Sequence, residues 1–279
     1  MVSCGDVIQP SAVAVERSPE QLLQLGQLTE ALQGLTVHVR HQPQDVSARV
    51  FLFQLLALLG QWERAQVQLN VAGELDSANV PLVNAYSVAL KGEQKRDQVF
   101  AAQATPDLPG IGAQWREPLL RALHALRAGD IATARTLREA AFSSADAVSG
   151  HVDGARFAWI ADADTRFGPC LEIILNTGYA WIPFADLLEL RFEQPTDLRD
   201  MVWAPVQITW RDGQQAVGFI PSRYPDSLQV GESGLALARQ TKWLDLGDEC
   251  FVGLGQRMLV TDAGDYPLLQ IRTLTFDRH

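Results

Sequence analysis

The first half of the chain repeats a helical pattern of apolar and polar positions. Gly26 recurs as Gly60, 34 residues later, and a third copy begins at Gly129. A period of 34 residues is typical of tetratricopeptide repeats, in which a turn that favours glycine joins two antiparallel helices. The same offset superposes apolar positions on both sides of the turn: Leu22 on Leu56, Ala31 on Ala65, and Leu35 on Leu69.

The periodicity predicts a stack of helical hairpins, with an irregular stretch between residues 92 and 115. The predicted helices cover residues 20–25, 28–41, 46–59, 62–75, 80–91, 94–103, 116–128 and 131–143. Such a stack buries a continuous core and presents a concave surface suited to a partner helix or an extended peptide. Residues 1–19 have no clear period and are interpreted as an irregular leader, and the helical domain is predicted to span residues 20–145.

The second half, residues 150–279, has a different pattern of short apolar runs separated by turn signals. Asp212-Gly213 between two such runs predicts a β-hairpin. We expect strands at 157–160, 179–182, 188–193, 204–210, 216–220, 256–261 and 268–275, with helices near 169–177 and 235–242. The predicted fold class is α+β: tetratricopeptide-like hairpins followed by a smaller, mainly antiparallel β-rich domain. Five tryptophans are expected in its core: Trp159, Trp181, Trp203, Trp210 and Trp243.

Composition narrows the possible functions of the chain. Its 279 residues carry a formal net charge of −10, which disfavours nucleic acid and an anionic membrane surface as partners. The most apolar run, Val50 to Leu59, is too short to span a bilayer. Cys4, Cys170 and Cys250 are far apart and odd in number, which fits a reducing cytoplasm and free thiols. No sequence motif indicates a bound nucleotide, the five histidines do not form a metal-binding spacing, and we expect no cofactor.

One polar motif in the second half has two interpretations. Asp162 and Asp164 lie two residues apart, and Glu172 follows closely. Together they could bind a divalent metal and support a hydrolase. The simpler interpretation is structural, because Arg166 can form an internal ion pair with Asp164. The segment Arg223-Tyr224 also has two interpretations, either a contact surface or a rigid turn with the tyrosine in the core.

Motifs along nearly the whole chain, about residues 20 to 272, resemble the ImpE family. In the first half these are residues 52–56, 60–65 and 68–70; in the second half, 157–169, 197–200, 220–225, 255–257, 261–262 and 266–269. The resemblance implies a non-enzymatic accessory protein of a bacterial type VI secretion system. It also implies two partners: the small subunit of the contractile sheath, bound through one of its helices, and the AAA+ ATPase ClpV. It supplies no catalytic residues.

These considerations give a set of predicted site residues. We expect partner contacts on the helical half, at Phe53, Trp62, Arg64 and Asn70. The family-like residues of the second half are expected to hold the fold together: Trp159, Asp162, Asp164, Arg166, Arg223 and Tyr224. Self-association stays open, because the end of a helical stack can pair with its own copy.

Overall fold

Seven α-helices make up the first half of the chain in a computed structural model, which describes residues 17–108 and 114–278. They are α1 (Pro19–Gln24), α2 (Leu28–His41), α3 (Val46–Leu58), α4 (Trp62–Leu75), α5 (Val80–Phe100), α6 (Arg116–Arg127) and α7 (Ile131–Ser144). Most of the predicted leader lies outside the described residues. Its last two residues belong to α1, because Ser18 caps the helix and Pro19 begins it.

The predicted turns between paired helices are confirmed. Gly26, Gly60 and Gly129 have φ values of +73°, +69° and +79°, a conformation that side chains with a Cβ rarely adopt. Five residues after the first two glycines, Ala31 and Ala65 are fully buried. A small side chain at this position lets the second helix of each pair pack closely against the first.

Helix α5 differs from the prediction, because the helices expected at 80–91 and 94–103 form one continuous helix. Gly92 was expected to interrupt it but lies inside it, where α5 packs directly on the sheet. A Cβ at this position would lie 2.5 Å from Ile174. The glycine therefore permits close packing and does not end the helix.

Among the described residues of the second half, 150–278, there are thirteen strands and one short α-helix, α8 (Ser233–Ala236). The strands are β1 (Gly150–Val152), β2 (Ala155–Phe157), β3 (Ile160–Asp162), β4 (Cys170–Leu175), β5 (Gly178–Pro183), β6 (Leu187–Phe192), β7 (Trp203–Trp210), β8 (Gln215–Pro221), β9 (Thr241–Asp245), β10 (Phe251–Gly255), β11 (Met258–Thr261), β12 (Asp265–Pro267) and β13 (Thr273–Phe276).

These strands form three antiparallel sheets. The largest has the order β2-β1-β13-β6-β7-β8-β4-β5, and β12-β11-β3 and β10-β9 form the two smaller sheets. The predicted hairpin at Asp212-Gly213 joins β7 to β8. The predicted class, a helical region followed by a mainly antiparallel β-rich region, is confirmed.

Several local predictions in this half are wrong. Residues 169–177 do not form a helix but contain β4, whose first five residues are all buried. An apolar run buried on both faces lacks the alternation that distinguishes a strand from a helix. The strand expected at 157–160 is split between β2 and β3. Trp159 and Trp243 lie outside the core, being 40% and 41% exposed.

Two hydrophobic cores hold the fold together. One lies within the β-rich half. The other is shared between the halves: Phe53 of α3 and Leu90 of α5 belong to the same cluster as Ile174, Trp181 and Trp203 of the sheet. The helical and β-rich halves, which meet at residues 145–150, therefore differ in secondary structure but share one of the two hydrophobic cores. None of the described helices is both long and apolar enough to cross a membrane.

Two glycines inside helices test the packing of α5 on the sheet. Gly92→Ala should lower the free energy of unfolding by about 1 kcal/mol or more, since the new methyl group overlaps buried Ile174. Gly34→Ala in α2 is the matched control, because no atom lies within 4 Å of its added Cβ. It should raise the free energy of unfolding by roughly 0.5–1 kcal/mol. Urea denaturation measures both, and equal effects would contradict the close contact.

Candidate functional site

Buried charges join the helical half to the sheet around Glu172 of β4. Arg96 of α5 donates two hydrogen bonds to this carboxylate, from Nε to Oε1 at 2.7 Å and from Nη2 to Oε2 at 2.9 Å. Arg257, between β10 and β11, contacts the same carboxylate, and the hydroxyl of Tyr179 donates to it. Glu172 thus compensates two buried cations at once.

Arg257 and Arg96 also contact two other elements, β3 and the loop after β8. Arg257 also contacts Asp162, and the hydroxyl of Tyr224 donates to Asp162 Oδ1 at 2.8 Å. Arg96 Nη2 donates to the backbone carbonyl of the residue before this tyrosine at 2.8 Å. We refer to Arg96, Asp162, Glu172, Tyr224 and Arg257 as the buried charge network.

The environment moves the pKa values of the two carboxyl groups in opposite directions. Burial acts to raise the pKa of Glu172, but Arg96 and Arg257 outweigh it and lower this pKa to about 2. Burial dominates at Asp162 and raises its pKa to about 6, although Arg257 opposes the shift. Both groups are therefore mainly ionised at neutral pH, and Glu172 stays ionised far into the acid range.

The predicted ion pair between Asp164 and Arg166 is present next to this network. Arg166 Nη2 donates to Asp164 Oδ2 at 2.6 Å, and its backbone N–H donates to Oδ1 at 2.9 Å. Asp164 Oδ2 also accepts the backbone N–H of Gly253 in β10 at 2.8 Å. The pair therefore ties β10 to the loop that follows β3.

Arg223 connects the sheet to the ends of two helices. Its Nη1 donates to the carbonyl of Leu58, the last residue of α3, at 2.7 Å, and to that of Ala236, the last residue of α8, at 2.6 Å. A cation at this position complements the partial negative charge of both helix ends. Burial lowers the pKa of Arg223 to about 10, so the guanidinium is charged at neutral pH.

This arrangement leaves little scope for the metal site considered from the sequence. Asp162, Asp164 and Glu172 each face a guanidinium instead of converging on a common open position. In the part of the chain that the structure describes, no group of three or more His, Cys, Asp or Glu side chains could hold a metal ion. The arrangement supports a structural role for these carboxylates.

Two concave surfaces border the helical half. A cleft of about 310 Å³ lies between α3–α5 and the loop 223–229, with Trp62, Asp97 and Asp226 in its wall. A wider groove of about 580 Å³ lies among α1, α2 and α3. Apolar side chains and one glycine line this groove, with charged groups beside them: Leu22, Gly34, Leu35, Ala48 and Phe51, with Arg17, Glu20, His38 and Asp45.

The residues predicted to contact partners have different environments. Phe53 is fully buried against Tyr86, so it supports the surface from within and cannot touch a partner in this conformation, which corrects the prediction. Trp62 is also buried, with its indole N–H donating to Asp97 at 2.8 Å, although it lines the cleft. Arg64 and Asn70 are exposed on α4.

No pattern in the sequence indicated the arginine partners of Glu172. Arg96 and Arg257 are 76 and 85 residues away from it in the chain. Charged residues in a polar stretch of helix or loop usually lie on the surface. Among the residues predicted to hold the fold, Asp162, Asp164, Arg166, Arg223 and Tyr224 are all buried, whereas Trp159 is exposed.

Comparisons with known proteins agree on one family. A family model described as "ImpE protein" matches residues 154–275. The "Type VI secretion system accessory component TagJ" of Pseudomonas aeruginosa is 47% identical over 258 residues, which cover 92% of this chain and 90% of that protein. A crystal structure of a Vibrio parahaemolyticus protein superposes with a TM-score of 0.86 at 24% identity, covering 94% of this chain and 98% of the other. The last similarity concerns the fold alone.

The buried charge network predicts an unequal response to removing two glutamates. Glu172→Gln should lower the free energy of unfolding by about 3–5 kcal/mol, because two buried guanidinium groups lose their shared carboxylate. Glu189→Gln on β6 is the control, since Glu189 forms an ion pair only with the exposed Arg191 and should change stability by roughly 0.5 kcal/mol or less. Urea denaturation at neutral pH measures both variants.

Acid should reduce the difference between wild type and Glu172→Gln. The folded pKa of Glu172 is about 2, below its ordinary value of 4.5. Its contribution to stability is therefore present above pH 4.5 and is lost as the pH falls from 4.5 towards 2. A difference in unfolding free energy that stays constant from pH 6 to pH 3 would contradict this assignment.

Proposed function

The chain belongs to the ImpE family, and from this premise we propose that it is a non-enzymatic adaptor of a bacterial type VI secretion system. The similarity to the TagJ accessory component carries the proposal, because it extends over 92% of the chain at 47% identity. A similarity of this extent includes most of the helical half and most of the β-rich half.

We propose two partners for the adaptor. One is a helix of the small sheath subunit, and the other is the ATPase ClpV. The groove among α1, α2 and α3 supports the first assignment, because an apolar floor edged by both signs of charge suits an amphipathic helix. Leu22, Leu35 and Phe51 provide the apolar part, and Glu20 and Arg17 provide opposite charges at its edge.

The absence of enzymatic activity is part of the same proposal. The carboxylates that suggested a metal-dependent hydrolase are held by arginines within the protein. Burial raises the pKa of the Cys170 thiol well above its ordinary value, outside the range of a reactive nucleophile. The proposal includes a cytoplasmic location, because the free thiols of Cys170 and Cys250 fit a reducing compartment.

Calorimetry tests the proposed function directly. The purified full-length protein is titrated with the N-terminal region of the cognate small sheath subunit and, in parallel, with the N-domain of the ATPase. We expect saturable one-to-one binding to the sheath segment. Absence of binding to both, by a protein with cooperative unfolding, would contradict the adaptor proposal.

Gly34 allows the groove to be blocked without disturbing the core. It is exposed on α2 and lines the groove, and no atom lies within 4 Å of its added Cβ. Gly34→Trp should weaken binding of the sheath segment about tenfold or more, because the indole occupies space that the partner helix needs. Gly34→Ala should bind like the wild type.

Comparing Gly34→Trp with the wild type tests where the sheath segment binds, separately from whether it binds. Equal affinity of the tryptophan variant and the wild type would move the binding site away from the groove while leaving the adaptor proposal intact. Point variants are preferable to an isolated helical half, because removing the sheet would expose apolar residues of α3 and α5 that share its core.

A further inference from the structure

The hairpin formed by β9 and β10 presents an unusual concentration of exposed apolar side chains. Trp243, Leu244, Leu246 and Phe251 are each 40–46% exposed, and all four lie within nine residues of one another. Single exposed apolar residues are common on protein surfaces, whereas several neighbouring ones on one hairpin indicate an interaction surface. Because side chains alternate along a strand, Trp243 and Phe251 lie on one face of the hairpin and Leu244 lies on the other. The ring centroid of Trp243 lies 5.7 Å from that of Tyr224, a member of the buried charge network, and the remaining surface of the indole is exposed.

The edge of β9 is also open for hydrogen bonding. The backbone N–H groups of Leu246 and Gln256 donate to the carbonyls of Cys250 and Gln240 across the hairpin. Because such pairs alternate along an antiparallel ladder, residues 241, 243 and 245 direct their backbone groups away from β10. In the described chain, no hydrogen bond to these outward backbone groups is present, and β10 is the only strand beside β9.

The opposite edge of β10 confirms this alternation. There, the backbone N–H groups of Gly253 and Gly255 donate to the side chains of Asp164 and Ser227. Residues 251, 253 and 255 of β10 face residues 245, 243 and 241 of β9. One side of the hairpin is therefore fixed to the protein, and the other side is a free edge ready to accept a strand.

The free edge is complementary to itself. An antiparallel copy centred on Trp243 places 241 opposite 245, 243 opposite 243, and 245 opposite 241, so every outward residue meets another outward residue. The two ends of the strand also carry opposite charges. Arg239 precedes β9, whereas Asp245 and Glu249 lie at its other end. Each copy then brings its arginine beside the acidic turn of the other.

We propose that β9 is a self-association edge, pairing antiparallel with β9 of a second copy about a twofold axis at Trp243. The two hairpins form a four-stranded sheet in which three pairs of residues each exchange two hydrogen bonds. The pairing brings the tryptophans of the two copies together and reduces the exposure of the apolar set. This inference rests on the fold and is independent of the proposed secretion function.

Sedimentation equilibrium of the full-length protein tests the proposal. The wild type should show a concentration-dependent rise from 30.7 kDa to twice that mass. Trp243→Lys places two like charges opposite each other at the axis and should weaken dimerisation about tenfold or more. Trp159→Lys is the matched control, because Trp159 is equally exposed but lies outside the hairpin; it should leave the dimer unchanged.

A charge exchange provides a second test that does not depend on the tryptophan. Arg239→Glu alone should weaken the dimer, and adding Glu249→Arg should restore it, because the two positions meet only between copies. A monomer at every concentration overturns the proposal, and so does a dimer that neither Trp243→Lys nor Arg239→Glu weakens. Circular dichroism confirms that each variant is folded before its mass is interpreted.

Discussion

The rest of the structure depends on one carboxylate, Glu172, held between two arginines without contact with water. Transferring such charges from water costs several kcal/mol for each ion, and only close, well-directed partners offset the cost. Arg96 comes from α5 and Arg257 from the segment before β11, so the compensation is complete only when helix, sheet and loop have all assembled. Partial assembly would leave a buried charge without its partner. The network therefore makes the two halves cooperative.

This constraint explains how surfaces at different places are held in fixed positions. Arg223 connects the network to the last carbonyls of α3 and α8. Helix α3 forms one wall of the groove at the start of the chain. Asp164 accepts a hydrogen bond from β10 and so holds the hairpin of β9 and β10 in position. The groove and the open edge are thus both attached to a single rigid centre.

The sequence predicted the helical half better than the sheet for identifiable physical reasons. Glycine at a left-handed turn and alanine at a close helix contact leave a regular signature, so α2 and α4 have the predicted bounds. Strand β4 is buried on both faces, so its burial does not alternate, and the pattern predicted a helix there. The charge network could not be predicted, since its members are distant in the chain and buried arginines resemble surface residues in a sequence.

Several residues of the motifs that carry the family resemblance lie in the buried charge network or beside it. Asp162, Asp164, Arg166, Arg223, Tyr224 and Arg257 all lie in the quoted motifs, and all are buried. These residues hold the fold together through buried ion pairs and hydrogen bonds. The surfaces that would recognise another molecule, at Gly34 and along β9, lie outside those motifs. The family resemblance and the proposed binding surfaces therefore rest on different residues.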